Sequence, residues 1–370
     1  MAGVFFLNGA GLANWFVRIP DVQEDIGLSE GALGVALLGA AVGSLLFMPL
    51  TGALVARLGS RPVVRATAFL FCMSLILPAV APNLPLLLLS LVALGAANGS
   101  LDVSMNAQAV AVERDYRRPI MSSFHALWSI GGLVGAAVGG VIASREIGTT
   151  VHLISAAAVL GLLVVLASSR LLPAGADSGS GGPAFARPTR ALAGLGIVSF
   201  CVLLGEGAIH DWSAVYFRGT LDTGPGLAAA GYAAFSFAMA AGRLAGDRLN
   251  QILGPVTLVR LGGALAACGL GASLAIGHPA AALVGFACAG AGFSIVFPLA
   301  LSAAGSTPGM APGAALAALA TVGYSGFLVG PPTIGFLAEI LGLGGALYIV
   351  VLLSATVAIL AGAVNPKGKQ

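Results

Sequence analysis

Asn98, Asp102 and Asn106 fall at i, i+4 and i+8 within the apolar run 85–112. On a helix this spacing sets all three on one face. If the run crosses a bilayer, Asp102 lies about 15 Å from the nearer end, close to the middle. A charged side chain there costs about 2.5–3.5 kcal/mol on insertion scales, and intramembrane carboxylates of this kind serve proton relays. The stripe should face a cavity, because lipid would leave it unsatisfied. The bland alternative is an interhelical hydrogen-bond clamp.

A second carboxylate, Glu206, sits about 15 residues into the run 191–217, followed by His210 and Asp211 at i+4 and i+5. The matching position in the first run of the chain is Gly9, so this acid is not repeated. Pairing with a neighbouring Ser or Tyr is the rival reading. His125 and Trp128 lie three apart on one face. An imidazole can hydrogen-bond a hydroxyl or relay a proton, and an indole face can stack on a ring. Ser122, Ser123 and Ser129 could equally satisfy a buried histidine. Asn14 with Trp15 forms a similar polar–aromatic pair, and Tyr324 is a further candidate. Trp212 is expected to be an aromatic anchor at the membrane interface. His152 and His278, near run ends, are expected to be interfacial too.

Other chemistries lack their residues. There is no G-x-S-x-G, no H-E-x-x-H and no phosphate-binding G-x-x-x-x-G-K-[ST]. Lys367 and Lys369 are the only lysines. Cys72, Cys201, Cys268 and Cys288 form no CxxC and read as small buried side chains. No metal, no cofactor and no enzymatic activity is expected. With no strong basic residue recognised in mid-membrane, phosphate and dicarboxylate ligands are disfavoured.

The elements that hold these residues follow from composition. The 370-residue chain is 58% hydrophobic and only 8% charged, against about 25% charged in soluble domains. Lipid must be its solvent. Twelve runs approach the roughly 20 residues of a span: 2–17, 31–56, 62–81, 85–112, 120–143, 150–170, 191–217, 227–242, 256–276, 280–304, 313–338 and 345–363. Of the 17 basic residues, all but Arg18, Arg145 and Arg218 fall in one alternating set of loops and helix ends. That bias predicts cytoplasmic termini and a plasma-membrane setting. It also argues against nucleic-acid binding, since these arginines are confined to short connections. No cleavable leader is evident, since Met1 runs directly into apolar sequence. A Gly/Ser-rich stretch between Pro173 and Pro183 predicts a cytoplasmic linker, 171–190, joining six-helix bundles 1–170 and 191–370.

An internal repeat supports two halves. Gly131-Gly-Leu-Val-Gly135, followed by Gly139 and Gly140, matches Gly326-Phe-Leu-Val-Gly330, followed by Gly335, at an offset of 195. Asn14-Trp15 matches Asp211-Trp212 at an offset of 197. Small residues so spaced let helix backbones approach in lipid. Duplicated halves with a site at their interface are the layout of many secondary transporters.

Here the chain resembles the major facilitator superfamily. Gly52-Ala-Leu-Val-Ala-Arg57-Leu-Gly59-Ser-Arg61 is similar to the family signature G-x-L-x-D-R-x-G-R-R, departing at Ala56 and Ser60. Gly242-Arg243-Leu-Ala-Gly-Asp247-Arg248 keeps the Asp-Arg pair in the second half. In the family such charges latch the cytoplasmic gate. Gly131-x-x-x-Gly135-Ala-x-x-Gly139-Gly140 resembles the span-five motif of drug/proton antiporters, with Ala136 in place of proline. The stretch Asn98 to Gln108 looks most like the fucose-permease-like branch, which couples sugar entry to protons.

The resemblance implies an all-α membrane protein of twelve helices in two pseudo-symmetric bundles. It implies a transporter of a small polar, sugar-like solute, with protons coupled at Asp102 and Glu206. Substrate contacts are expected from Asn14, Trp15, Asn98, Asn106, His125, Trp128, His210, Asp211 and Tyr324. Gating and scaffold roles are expected for Arg57, Gly59, Arg61, Asp247, Arg248 and the repeat glycines. The partners are then solute, protons and lipid, with a monomer expected. An exporter of hydrophobic compounds, and a membrane sensor on a transporter scaffold, are the alternatives.

Overall fold

The computed structural model describes residues 1–118, 120–173, 192–307, 310 and 312–365. Most of the expected linker therefore lies outside the described residues, as do Lys367 and Lys369. Helices follow in order: α1 Ala2–Ile26, α2 Glu30–Leu58, α3 Ser60–Ser74, α4 Leu84–Tyr116, α5 Met121–Ser144, α6 Thr149–Ser168, α7 Ala193–Val215, α8 Pro225–Leu253, α9 Pro255–Ile276, α10 Pro279–Phe293, α11 Val296–Gly305, α12 Pro312–Ala346 and α13 Tyr348–Ile359. In lipid only closed hydrogen bonding is tolerated, and helices satisfy it within themselves. The architecture is the expected all-α, twelve-crossing one, with α10 and α11 forming one crossing. That crossing breaks after Phe293 because Pro298 lacks an N–H and its ring crowds the carbonyl of Ser294.

Local signals set the ends. The Ser29 hydroxyl accepts from the Ala32 amide at the start of α2, and the Asn83 side chain accepts from the Leu86 amide at the start of α4. Pro225, Pro255 and Pro279 open their helices where no donor is needed.

Two helices overrun their expected bounds. The first helix continues past position 17 through Arg18 and Pro20 to Ile26. The eighth continues past position 242 to Leu253, drawing Arg243, Asp247 and Arg248 into the helix. Hydropathy loses both segments because each carries charge, although both remain helical, α1 with Pro20 in its interior.

The repeat is visible as backbone packing. A Cβ on Gly131 would strike the Phe6 carbonyl of α1, and one on Gly326 would strike the Phe200 carbonyl of α7. Gly95 abuts Ala40, and Gly290 abuts Phe235. Gly59 and Gly254 turn the chain with matching dihedrals, φ 80° ψ 159° and φ 75° ψ 160°. These pairs keep the offset of 195 in α2/α8, α4/α10 and α5/α12. For α1/α7 the register is 194 (Phe6 with Phe200, Ala10 with Leu204), not the 197 of the Asn-Trp/Asp-Trp match. Glu206 thus corresponds to Leu12 rather than Gly9. Asp247 and Arg248 lie well before Gly254 in α8, so they are not at the place equivalent to Arg57.

The two sets of helices meet along α5/α8 and α2/α12. Near the α1–α2 turn, Gly34 packs on Pro331 and Gly335, and Gly140 on Ala229. Ion pairs and hydrogen bonds close the same end. Arg218 reaches Asp21 at 3.2 Å and Glu24 at 3.4 Å. The Glu339 carboxylate accepts from the Ser29 hydroxyl at 2.6 Å and the Gly31 amide at 3.1 Å, so it caps α2 from the opposite half.

Candidate functional site

A cavity of about 290 Å³ lies between the halves, lined by α1, α2, α4, α5, α7, α8, α11 and α12. That is near the lower end of the range for small-molecule sites. Asp102 and Asn98 line it from α4, and Glu206, His210 and Asp211 from α7. His125 and Trp128 line it from α5, Trp15 from α1 and Tyr324 from α12. The carboxylates come from opposite halves, and Tyr324 lies within electrostatic reach of both Asp102 and Glu206.

Three of the four charged side chains here have apolar counterparts in the repeat that also line the cavity. Asp102 corresponds to Phe297, Glu206 to Leu12 and Arg243 to Met48, and all six line the cavity. The cavity is symmetric in backbone and asymmetric in charge.

The Asn106 amide donates to the Asp102 side chain at 3.0 Å and to its backbone carbonyl at 2.9 Å. Asn106 does not line the cavity; it orients the acid. Trp128 is held by a chain of hydrogen bonds. Its indole N–H donates to Asn8 Oδ1 at 2.8 Å, and Asn8 Nδ2 donates to Asn98 Oδ1 at 2.8 Å. Asn8 ties α1, α4 and α5 together. Sequence reading missed it, because a lone Asn in an apolar run carries no pattern.

Arg243 is the larger omission. Its Nη2 lies 3.5 Å from Glu206 Oε1. Its Nη1 donates across the seam to the Ser129 hydroxyl at 2.8 Å and the His125 carbonyl at 3.3 Å. A basic residue does occupy the cavity, which overturns the argument that none is present in mid-membrane. Its charge is met by Glu206. Sequence reading assigned Arg243 to a loop because the charged end of α8 resembled the signature connection.

Asn14 is not on the cavity. Its Oδ1 accepts a hydrogen bond from His152 Nε2 at 2.7 Å, and its amide donates to the Ala10 carbonyl at 2.7 Å. Arg18 Nε donates to His152 Nδ1 at 2.8 Å, and Arg18 Nη1 pairs with Asp21 at 2.6 Å. His152 is 1% exposed, so it is a packed bridge between α1 and α6 and not interfacial. Trp212 is 0% exposed and so cannot be a lipid-interface anchor. Cys72 and Cys201 are buried as expected, but Cys268 is exposed and Cys288 half-buried.

Aromatic rings frame His210. Phe16 stacks on it at 5.1 Å, with Trp128 at 5.9 Å, Tyr232 at 5.5 Å and Phe235 at 5.7 Å. Gly131 and Gly135 abut α1, Gly139 lies against Asn14 and His152, and Gly326 and Gly330 abut α7. Arg57, Asp247 and Arg248 are exposed and Arg61 half-buried, all outside the cavity lining. Among the described residues, no ion pair engages Asp247 or Arg248.

Comparison with known proteins places this architecture. Residues 1–327 match the family model of the Major Facilitator Superfamily. The chain is 39% identical over 362 residues to an uncharacterized MFS-type transporter of Yersinia pestis, covering 98% of this chain and 94% of the relative. It is 36% identical over 358 residues to the membrane protein MosC of Rhizobium meliloti, covering 96% and 86%. Among solved structures it is similar to the nucleoside transporter NupG, with a TM-score of 0.73 at 13% identity over 98% of this chain and 96% of that one. It is also similar to the Major Facilitator Superfamily transporter FucP in its outward conformation, with a TM-score of 0.67 at 16% identity over 98% and 97%. At such identities the solved structures speak for the fold alone. The chain belongs to the Major Facilitator Superfamily and is a multi-pass membrane transporter, not an enzyme.

Proposed function

We propose that the protein moves a small polar solute by proton-coupled alternating access, with residues 1–170 rocking against 191–370. Asp102 is the first proton site and Glu206 the second. The observation that carries this reading is the Glu206–Arg243 pair, because Arg243 also holds Ser129 and His125 of the other half. A proton arriving on Glu206 removes the counter-charge of Arg243. The guanidinium must then find other acceptors, and the cross-seam hydrogen bonds change with it. Proton binding is thereby tied to the contact between halves. Asp102, held by Asn106 alone among the described residues, is free to exchange a proton with a cavity that opens and closes around it.

The lining suits a hydroxylated solute. Trp128 offers a ring face, while Asn98 and Tyr324 offer hydrogen bonds and the buried Trp15 backs the wall. We assign the termini to the cytoplasm on the arginine bias. In proteoliposomes under an imposed pH gradient, a panel of sugars and nucleosides should yield at least one accumulated solute. Asp102→Asn should abolish its accumulation while leaving exchange across equal pH measurable. Gradient-driven accumulation by Asp102→Asn at the wild-type level removes Asp102 from the mechanism.

A further inference from the structure

The geometry points to Asp211 as the residue that selects for substrates carrying an ammonium group, which it would engage at the closed end of the cavity. This rests on the transport reading of the same cavity and adds a substrate class to it.

Three carboxylates line the cavity, and two have partners in the protein: Asp102 takes the Asn106 amide and Glu206 takes Arg243. No hydrogen bond or ion pair reaches Asp211 among the described residues, and no charged neighbour acts on it. The next cation along the chain, Arg218, lies beyond the end of α7. Arg218 is already engaged by Asp21 and Glu24 of the other half.

A carboxylate in such a place must be neutralised or paired. A neutral hydroxyl supplies a hydrogen bond but no counter-charge, whereas an ammonium supplies both. The surroundings favour the cation as well. Trp128, partly exposed to the cavity, lies 5.9 Å from the adjacent His210, and ring faces attract cations within about 6 Å. The repeat places Asp211 opposite Val17, so the acid has no counterpart in the packing scaffold.

The test uses purified full-length protein and matched probes that differ by one amine: glucosamine against glucose, cyclohexylamine against cyclohexanol, and phenethylamine against 2-phenylethanol. Binding is read by thermal shift and calorimetry on the wild type, Asp211→Asn and Asp211→Glu. The expected result is that at least one amine binds, its neutral partner binds roughly 30-fold or more weakly, and Asp211→Asn removes that preference. Asp211→Glu should recover part of it, and the unliganded melting temperature should stay unchanged in both variants. Equal binding of amine and neutral partner, an amine preference that survives Asp211→Asn, or no binding by any amine overturns the proposal.

Proton currents from the same preparation separate the two readings. Neutral solutes that drive Asp102-dependent currents, without any amine preference, leave proton-coupled transport standing and remove the role of Asp211. Amine binding that depends on Asp211, with transport indifferent to the pH gradient, does the reverse. Loss of proton coupling for every solute in Asp211→Asn would make Asp211 a proton carrier and would also overturn the proposal.

Discussion

Phe16 and His210 occupy equivalent positions in the two halves and stack on each other across the seam, with centroids 5.1 Å apart and planes 15° apart. Position 16 of α1 and position 210 of α7 are related by the 194-residue register that the Phe6 and Phe200 backbone contacts define. A residue and its own repeat image therefore meet near the pseudo-twofold axis. One image is a hydrocarbon ring and the other an imidazole, so the seam is symmetric in shape and asymmetric in chemistry. His210→Phe should keep the stacking and leave the melting temperature nearly unchanged. His210→Ala should lose about 1 kcal/mol for each of the ring pairs it breaks, read from denaturation of purified protein. Equal stability of the two variants would mean that the ring packing contributes nothing.

Arg243 joins three partners in two halves, so its removal has separable effects. Arg243→Ala leaves Glu206 buried without its counter-charge and should destabilise by about 3–5 kcal/mol. Glu206→Gln combined with Arg243→Met removes both charges and should restore most of that loss. Transport should fail in both variants. Thermal melts with parallel flux assays distinguish a folding defect from a coupling defect, and a double variant no more stable than Arg243→Ala would refute the pairing argument.

The tryptophans divide between cavity and core. Trp128→Ala should weaken solute binding with a small change in stability, because Trp128 is partly exposed to the cavity. Asn8→Ala should reproduce much of that loss, since Asn8 fixes the indole N–H. Trp212→Ala empties a fully buried site and should cost about 3–5 kcal/mol of stability. Paired measurements of affinity and melting temperature check all three, and an affinity defect confined to Trp212→Ala would place the site elsewhere.

Glycines in one chain should differ sharply in tolerance. Gly131→Ala drives a methyl into the Phe6 carbonyl, so α1 and α5 must separate, at about 1–3 kcal/mol. Gly161, in α6, has open space around it, and Gly161→Ala should be neutral or slightly stabilising. Expression level and melting temperature of the two variants decide the matter, and equal effects would rule out backbone packing as the reason for the repeat.

Much of this protein is legible in its sequence, because a bilayer leaves few options. Low charge and long apolar runs require membrane-crossing helices, and Gly131–Gly140 against Gly326–Gly335 reveals the duplication. Asp102 and Glu206 announce themselves because a carboxylate amid hydrocarbon is costly unless it faces a cavity. Facing is what the sequence leaves open. In lipid the outer face of a helix is as apolar as its packed face, so no periodicity tells inside from outside. Asn14 and Trp15 are adjacent, about 100° apart around α1, yet one joins His152 and the other lines the cavity. Only tertiary packing decided that, as it decided the 194-residue register that moves the partner of Glu206 from Gly9 to Leu12. It also decided the place of Arg243, whose charge reads locally as a loop. The charge is tolerable within a helix because Glu206, 37 positions earlier in the chain, comes within 3.5 Å of it.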